Sequence, residues 1–420
     1  MKRKLMVTSV LLLVLALALL LTLAPSCGKG EEVGPGVTPT PGVTPTPTPR
    51  AKTLKMGLII TLSGPGAPWG MQTEQGMRWA VDKINLSGGI KVGADTYMIT
   101  VVACDDKYIG SEGAACATRI VYDEKVHYVV GSIAANAAMA PILTEGKCFN
   151  AGIGNALVAT VKPDNPYHWY TLQDTRTWND TFFKQAAKAE PGIKTVGIIA
   201  GVSTTKPSDQ EVCRQSVMKY WGAEVVHLSE YPGGTTDFYP QLTPIVAKNP
   251  DAICTYGSIG NQGLIVKQVR ELGYKGILGS SNVGDPGPGV AIAGKAAFEG
   301  FYTNEPDYSS DLYPENVRAL YAEYQRLYPG TQFGLCQYLG YATIYFYKQA
   351  IERAGSIDPD EVKKVLDDPN WTYEWFGMPG RSLGGLQTFG IRRVNQDETV
   401  VSTTHDGHKV AVSRELTVVP

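Results

Sequence analysis

The sequence predicts an α/β protein made of two successive lobes with parallel central sheets. Three observations predict it. From Leu54 onward, apolar strands alternate with amphipathic helices, the pattern of a parallel sheet covered on both faces. The same pattern restarts at Thr177. The predicted strands end in polar or Gly-rich turns such as Ser63-Gly64-Pro65-Gly66 and Gly257-Ser258-Ile259-Gly260, which punctuate the chain.

In the first set, Leu54–Leu62 reads as a strand and Glu74–Leu86 as its helix. Tyr97–Ala103 and Tyr128–Ile133 read as strands, and Ser111–Tyr122 and Asn136–Glu145 as their helices. Short strands follow near Phe149–Ile153 and His168–Leu172. In the second set, strands at Thr195–Ala200, Glu224–Leu228, Ala252–Tyr256 and Gly276–Gly279 alternate with helices. Those helices are Thr177–Ala189, Asp209–Trp221, Phe238–Ala247 and Gln262–Leu272. Three late helices, Tyr313–Leu327, Leu335–Ala354 and Pro359–Leu366, have no strands between them and are expected to return to the first lobe. The tail from Gly384 to Pro420 is β-rich, with Asn395-Gln396-Asp397 and Asp406-Gly407 as turns.

The front end reads as an address. Lys2-Arg3-Lys4 precedes an apolar run from Leu5 to Ala24, then Ala24-Pro25-Ser26-Cys27. These are the parts of a secretory signal, and Cys27 stands where a bacterial lipobox places its lipidated residue. Residues 1–26 are therefore assigned to a lipoprotein signal peptide. Residues 27–52, rich in Thr, Pro and Gly, form an extended tether that cannot bury a core. The alternative is an uncleaved anchor helix, since the run is about long enough to span a bilayer. Both place the domain outside the cell membrane and attached to it.

About 365 residues follow the tether, a length that suits two domains. The formal charge of −2 carries no basic excess, which excludes nucleic acid as a natural partner. Six cysteines remain besides Cys27. Their wide spacing fits no zinc pattern, and 15 full pairings stand beside buried free thiols as readings.

In open α/β sheets a ligand sits beyond the carboxyl ends of the strands. The candidate loops are 63–70, 105–111, 132–136, 152–156, 200–209, 257–262 and 280–287. Asp105-Asp106 reads as a strand end that caps the next helix, in preference to a catalytic acid pair. His405-Asp406-Gly407-His408 reads as a solvated turn, because a zinc site takes three or four ligands. No nucleophile, metalloprotease or phosphate-loop motif occurs, so no enzymatic activity, cofactor or metal is expected.

Several of these loops carry a resemblance. They are Leu62-Ser63-Gly64-Pro65, Asn85-Leu86-Ser87-Gly88-Gly89-Ile90, Cys104-Asp105-Asp106, Val130-Gly131-Ser132, Gly234-Thr235-Thr236-Asp237-Phe238 and Gly340-Tyr341-Ala342. In this order the chain resembles, from about Leu54 to its end, the type I periplasmic binding proteins of branched-chain amino acid ABC transporters. The resemblance implies two Rossmann-like lobes joined by a three-strand hinge, with the ligand cleft between them. It implies lobe 1 at 53–172 and 302–383, lobe 2 at 173–301, and a hinge crossing with a lobe 2 tail at 384–420. The hinge crossings would lie near Tyr170–Arg176, Tyr302–Pro306 and Gly377–Gly390.

The implied function is a monomeric, lipid-anchored receptor for an ABC importer. It would capture a small molecule and hand it to the permease and its ATPase. A ligand-sensing domain acting through a partner protein is the alternative. The family's carboxylate loops align with Ile133, Ala134 and Ala135 and with Gly154 and Asn155. Its usual Ser and Thr positions fall on Ala135 and Asn155. The acid that meets the ligand ammonium falls on Asn261, a neutral amide that cannot pair a buried cation. Trp69 takes the place of an aromatic lid, and Asn282 and Gln337 are polar cleft groups. These departures predict a neutral amide, a urea-like compound or a carboxylate without an α-amine as ligand.

Overall fold

The computed structural model describes residues 51–416 apart from 65, 154–164, 173–174, 203–208, 258, 282–284, 383–393 and 396–397. The side chains of 175–178, 209, 259, 381–382, 394–395, 398–399 and 416 are likewise not described. The predicted signal, Cys27 and the tether up to residue 50 lie outside the described residues; Lys52, assigned to the tether's end, is the first residue of the first strand.

The first sheet starts from β1 (Lys52–Ile60), whose last five residues are all buried. An unbroken run of this kind marks a strand covered on both faces. Helix α1 (Ala67–Leu86), the hairpin β2 (Ile90–Val92) and β3 (Asp95–Asp105), and helix α2 (Gly110–Thr118) follow. Next come β4 (Tyr128–Gly131), α3 (Asn136–Glu145), β5 (Phe149–Gly152) and β6 (His168–Tyr170). The order is β2-β3-β1-β4-β5-β6. From β3 to β6 every neighbouring pair is parallel, and only β2 runs antiparallel.

The second sheet repeats the plan. Helices α4 (Thr175–Ala189), α5 (Asp209–Trp221), α6 (Tyr239–Val246) and α7 (Ile259–Glu271) alternate with β7 (Thr195–Gly201), β8 (Glu224–Tyr231), β9 (Ala252–Tyr256) and β10 (Ile277–Ser280). Short helices α8 (Pro286–Ala293) and α9 (Lys295–Phe298) lead to β11 (Tyr302–Thr303). After these come α10 (Glu315–Leu327), α11 (Leu335–Ala354), α12 (Pro359–Asp367), β12 (Thr372–Trp375), β13 (Met378–Ser382) and β14 (Val394–Asn395). The chain ends in the hairpin β15 (Glu398–His405) and β16 (His408–Leu416). The sheet order is β16-β15-β11-β10-β9-β7-β8, with β12-β13-β14 as a separate small sheet.

The late helices belong to the first sheet's core, as their lack of intervening strands implies. Tyr324, Tyr338, Tyr341 and Phe346 share one apolar cluster with Leu58, Trp79 and Val130. Close helix contact requires glycine here: a Cβ on Gly340 would stand 2.2 Å from the Thr73 carbonyl, and one on Gly76 would stand 2.0 Å from that of Gln337. The chain passes from first sheet to second between Tyr170 and Phe182. It returns between Thr303 and Tyr308, and crosses again between Met378 and Val401.

Three local readings change. Helix α1 begins at Ala67, ahead of the predicted Glu74, because Pro68 suits a first helical turn. Trp69 is therefore helical and the first cleft loop shorter. The predicted loop 280–287 ends early: residues 286–293, Gly- and Pro-rich, form a helix capped by Asp285, whose carboxylate accepts from Gly287 N. The pair Asp105-Asp106 does not cap α2, whose N-cap is Ile109 with no side-chain bond. Of the open cysteine readings, one disulfide, Cys104–Cys116, is present, and Cys148, Cys213, Cys254 and Cys336 are buried thiols.

Candidate functional site

Parallel strands bring their carboxyl-end loops to one edge of each sheet. On the first sheet these are the turns after Ile60, Asp105, Gly131 and Gly152. Asp106 ties the first three together. Thr61 Oγ1 donates to its Oδ1 at 2.6 Å and Tyr108 N to the same oxygen at 2.9 Å. The Ser132 hydroxyl donates to its Oδ2. Its neighbour Asp105 accepts from Leu62 N at 2.8 Å and Lys107 N at 2.9 Å. Burial works against charge on Asp105, but donors from Ser63, Leu62 and Lys107 outweigh it and hold the carboxyl below its usual range. Both acids are thus loop staples, a role that the spacing of two strands in the sequence does not reveal.

A buried polar chain continues from Ser132. Asn136 accepts from Ser132 N at 3.1 Å and from Asn150 Nδ2 at 2.8 Å, and Asn150 lies 3.4 Å from the His168 ring. Burial pushes the His168 imidazole down to about 3. Unfolded, it titrates near about 6.5. Above that pH neither state holds the proton. As pH falls below it, the unfolded chain binds the proton first, so stability is lost from about pH 6.5 down to the folded value. The loss reaches about 2 kcal/mol at pH 5. In urea unfolding, His168→Asn should flatten the slope between pH 7 and 5. An unchanged slope would contradict a buried neutral imidazole.

The aligned site residues fall as follows. Ile133 is half-buried against the first core and Ala134 is exposed. Ala135 is buried, with its methyl against Gly113 and its N–H donating to Ser132 Oγ at 3.0 Å. Trp69 is half-buried in the first turn of α1, and its carbonyl accepts from Thr73. Asn261 Nδ2 donates to the Tyr231 hydroxyl at 3.5 Å, which itself donates to the Tyr256 carbonyl at 3.1 Å. Gln337 is buried, accepting from Gly334 N at 3.0 Å and donating to the Gln332 carbonyl at 2.8 Å. Gly154, Asn155 and Asn282 lie outside the described residues. Tyr108, 45 % exposed with its ring over Gly66, is an edge aromatic that the sequence reading passed over.

A groove of about 920 Å³ opens between the lobes. It is lined by Pro68, Gln72 and Gln75 of α1, by Asp285, Gly287 and Pro288 beyond the second sheet's edge, and by Gln332 and Gln337. Beside it sits a buried ion cluster. Lys409 of β16 stands 3.9 Å from Asp285 and 3.5 Å from Glu305, and donates to the Phe333 carbonyl at 3.3 Å. Glu305 accepts from Leu335 N at 2.8 Å, at the start of α11. Burial alone would lower the Lys409 amine, but Asp285 and Glu305 raise it above its ordinary value. Burial also raises the Glu305 carboxyl. Ser281 couples two crossings: its hydroxyl donates to Asn179 Oδ1 at 2.6 Å, and its carbonyl accepts from Asn304. Among the described residues no group of His, Cys, Asp and Glu could hold a metal ion. No helix among them is long and apolar enough to cross a membrane.

Comparison with known proteins gives the same architecture. The profile of the periplasmic binding protein family matches residues 53–386. The Leu/Ile/Val-binding protein homolog 3 of Brucella melitensis is 25 % identical over 328 residues, 75 % of this chain and 83 % of its own. The isoleucine complex of a branched-chain amino acid transporter substrate binding protein from Streptococcus pneumoniae superposes with a TM-score of 0.71. It is 22 % identical and covers 88 % of this chain and 100 % of its own. A benzoate complex of an ABC transporter solute binding protein from R. palustris gives 0.71 at 17 % identity, covering 86 % and 96 %. Two parallel sheets, a chain that crosses three times and a groove between the lobes agree with these matches: the chain belongs to the type I periplasmic binding proteins of the branched-chain amino acid family, receptors for small solutes.

Proposed function

We propose that the protein is an extracytoplasmic receptor that closes its lobes around one small solute and delivers it to an ABC permease and its ATPase. We further propose that this solute is a carboxylate or amide without an α-amine. The observation that carries the ligand class is Asn261. It holds a neutral amide against the Tyr231 hydroxyl where the resemblance places an acid. Two carboxylates at the same edge are already engaged, Glu230 by Gln210 at 2.5 Å and Asp285 by Gly287 N and Lys409. A benzoate-bound protein of the same fold supports an amine-free ligand.

In this reading the backbone of Ile133 and Ala134, at the start of α3, receives the carboxylate. Trp69 and Tyr108 supply ring faces, and Gly154, Asn155 and Asn282 complete the cleft. Ala135 shapes the loop from beneath, and Gln337 holds the groove's edge. Residues 53–172 and 302–383 form one lobe, and 173–301 with 384–420 the other. Closure is a population shift driven by contacts made only when the lobes meet. The chain acts as a monomer, anchored through lipid on Cys27 and the 27–52 tether.

A thermal-shift screen of the full chain tests the ligand class. The panel is leucine, valine, glutamine, acetamide, urea, benzoate, 4-hydroxybenzoate and isovalerate. A compound at 100 times its dissociation constant stabilises by about 2.7 kcal/mol. Shifts confined to amine-free compounds are expected, and a shift with leucine or valine alone would overturn the ligand class.

A further inference from the structure

We infer that Cys213 and Cys254 form a second disulfide, a cross-link inside the second lobe between α5 and β9. The two Sγ atoms lie 3.4 Å apart although 41 residues separate them in sequence. Both side chains are buried, in one apolar cluster with Phe182, Ile198 and Val217. Closing the gap to the ~2.0 Å of an S–S bond takes a movement of about 1.4 Å shared by two side chains.

The setting favours oxidation. The first lobe already holds the Cys104–Cys116 disulfide, and periplasmic binding proteins work where disulfides persist. Among the described residues the two other thiols lie in the first lobe, away from this pair. Cys148 Sγ faces the Phe149 carbonyl and lies in the first lobe's core. Cys336 sits on α11, which packs against the first sheet.

The chemistry is thiol–disulfide exchange with a small-molecule disulfide or a disulfide oxidoreductase as oxidant. One cysteine loses its proton, and its sulfur attacks the oxidant's S–S bond and expels one thiolate. The second deprotonated sulfur attacks the mixed disulfide and expels the other. Two protons and two electrons leave the pair, and the oxidant ends as two thiols. Because both sulfurs are buried, exchange takes place while the lobe folds or opens locally. The cross-link ties α5 to β9, an inner strand of the second sheet whose end leads into α7.

The test unfolds the full chain in denaturant without reductant and refolds it in an oxidised/reduced glutathione buffer. The protein is then acid-quenched, denatured and alkylated with N-ethylmaleimide. Expected is the loss of two labels relative to a chain refolded without oxidant, with Cys213 and Cys254 peptides joined. The variant Cys148→Ser/Cys336→Ser should lose the same two labels. The linked form should melt on the order of 5 °C above Cys213→Ser/Cys254→Ser. Labels retained on both cysteines, separate glutathione adducts, or pairing with Cys148 or Cys336 would overturn the inference.

Discussion

Replacing Lys409 with Met should destabilise the protein by about 3–5 kcal/mol, the range for removing one partner of a buried ion pair. The amine, on a side chain 11 % exposed, stands among the buried Asp285 and Glu305 carboxylates and the Phe333 carbonyl. Its loss leaves two buried carboxylates without their cation. The added change Glu305→Gln should recover part of the loss, since it removes one stranded charge. Glu305 also gives K409M a diagnostic pH response. A carboxyl raised by burial holds its proton in the folded state above the pH at which the unfolded chain releases it. Its stabilising effect is therefore full at low pH and lost as pH rises through the folded value. K409M should be relatively most stable in mild acid. Denaturant unfolding at pH 5 and 7.5 reads both effects, and a loss under about 1 kcal/mol with no pH response would contradict the cluster's role.

The second large effect is expected at the α1–α11 crossing. Gly340→Ala puts a methyl 2.2 Å from the Thr73 carbonyl, a backbone atom that cannot swing aside. The helices must separate, and their shared cluster around Trp79 and Tyr341 loosens. A cost of about 2–3 kcal/mol follows from overpacking of this kind. Gly192→Ala, with open space around its Cβ and no positive φ, should change stability by less than about 0.5 kcal/mol. Equal melting temperatures for the two variants would rule out the close crossing.

The two α/β sets were legible because strand and helix periodicity are local. So was the return of the late helices, since three helices without strands must cover a sheet built elsewhere. The edge chemistry was less legible. Asp106 looks like a helix cap because its partners Thr61 and Ser132 come from neighbouring strands far off in sequence. Cys213 and Cys254 become neighbours only once α5 lies on β9, a pairing that spacing does not encode. Residues 286–293 conceal their helix behind Gly and Pro, and only the Asp285 cap and Pro286 at the first turn betray it. Ala135 aligns with a ligand-facing position, yet its methyl is buried against Gly113. Nothing in the sequence joins Lys409, Asp285 and Glu305, which come together only when three distant segments meet.

The most direct test is titration calorimetry of the full chain with benzoate and leucine in parallel, each up to millimolar concentration. The proposed site predicts saturable binding of benzoate at one site per chain and no heat from leucine in the micromolar range. Nanomolar to low-micromolar leucine binding with none for benzoate would mean that Asn261 does accept an ammonium, and the amine-free ligand class would fail.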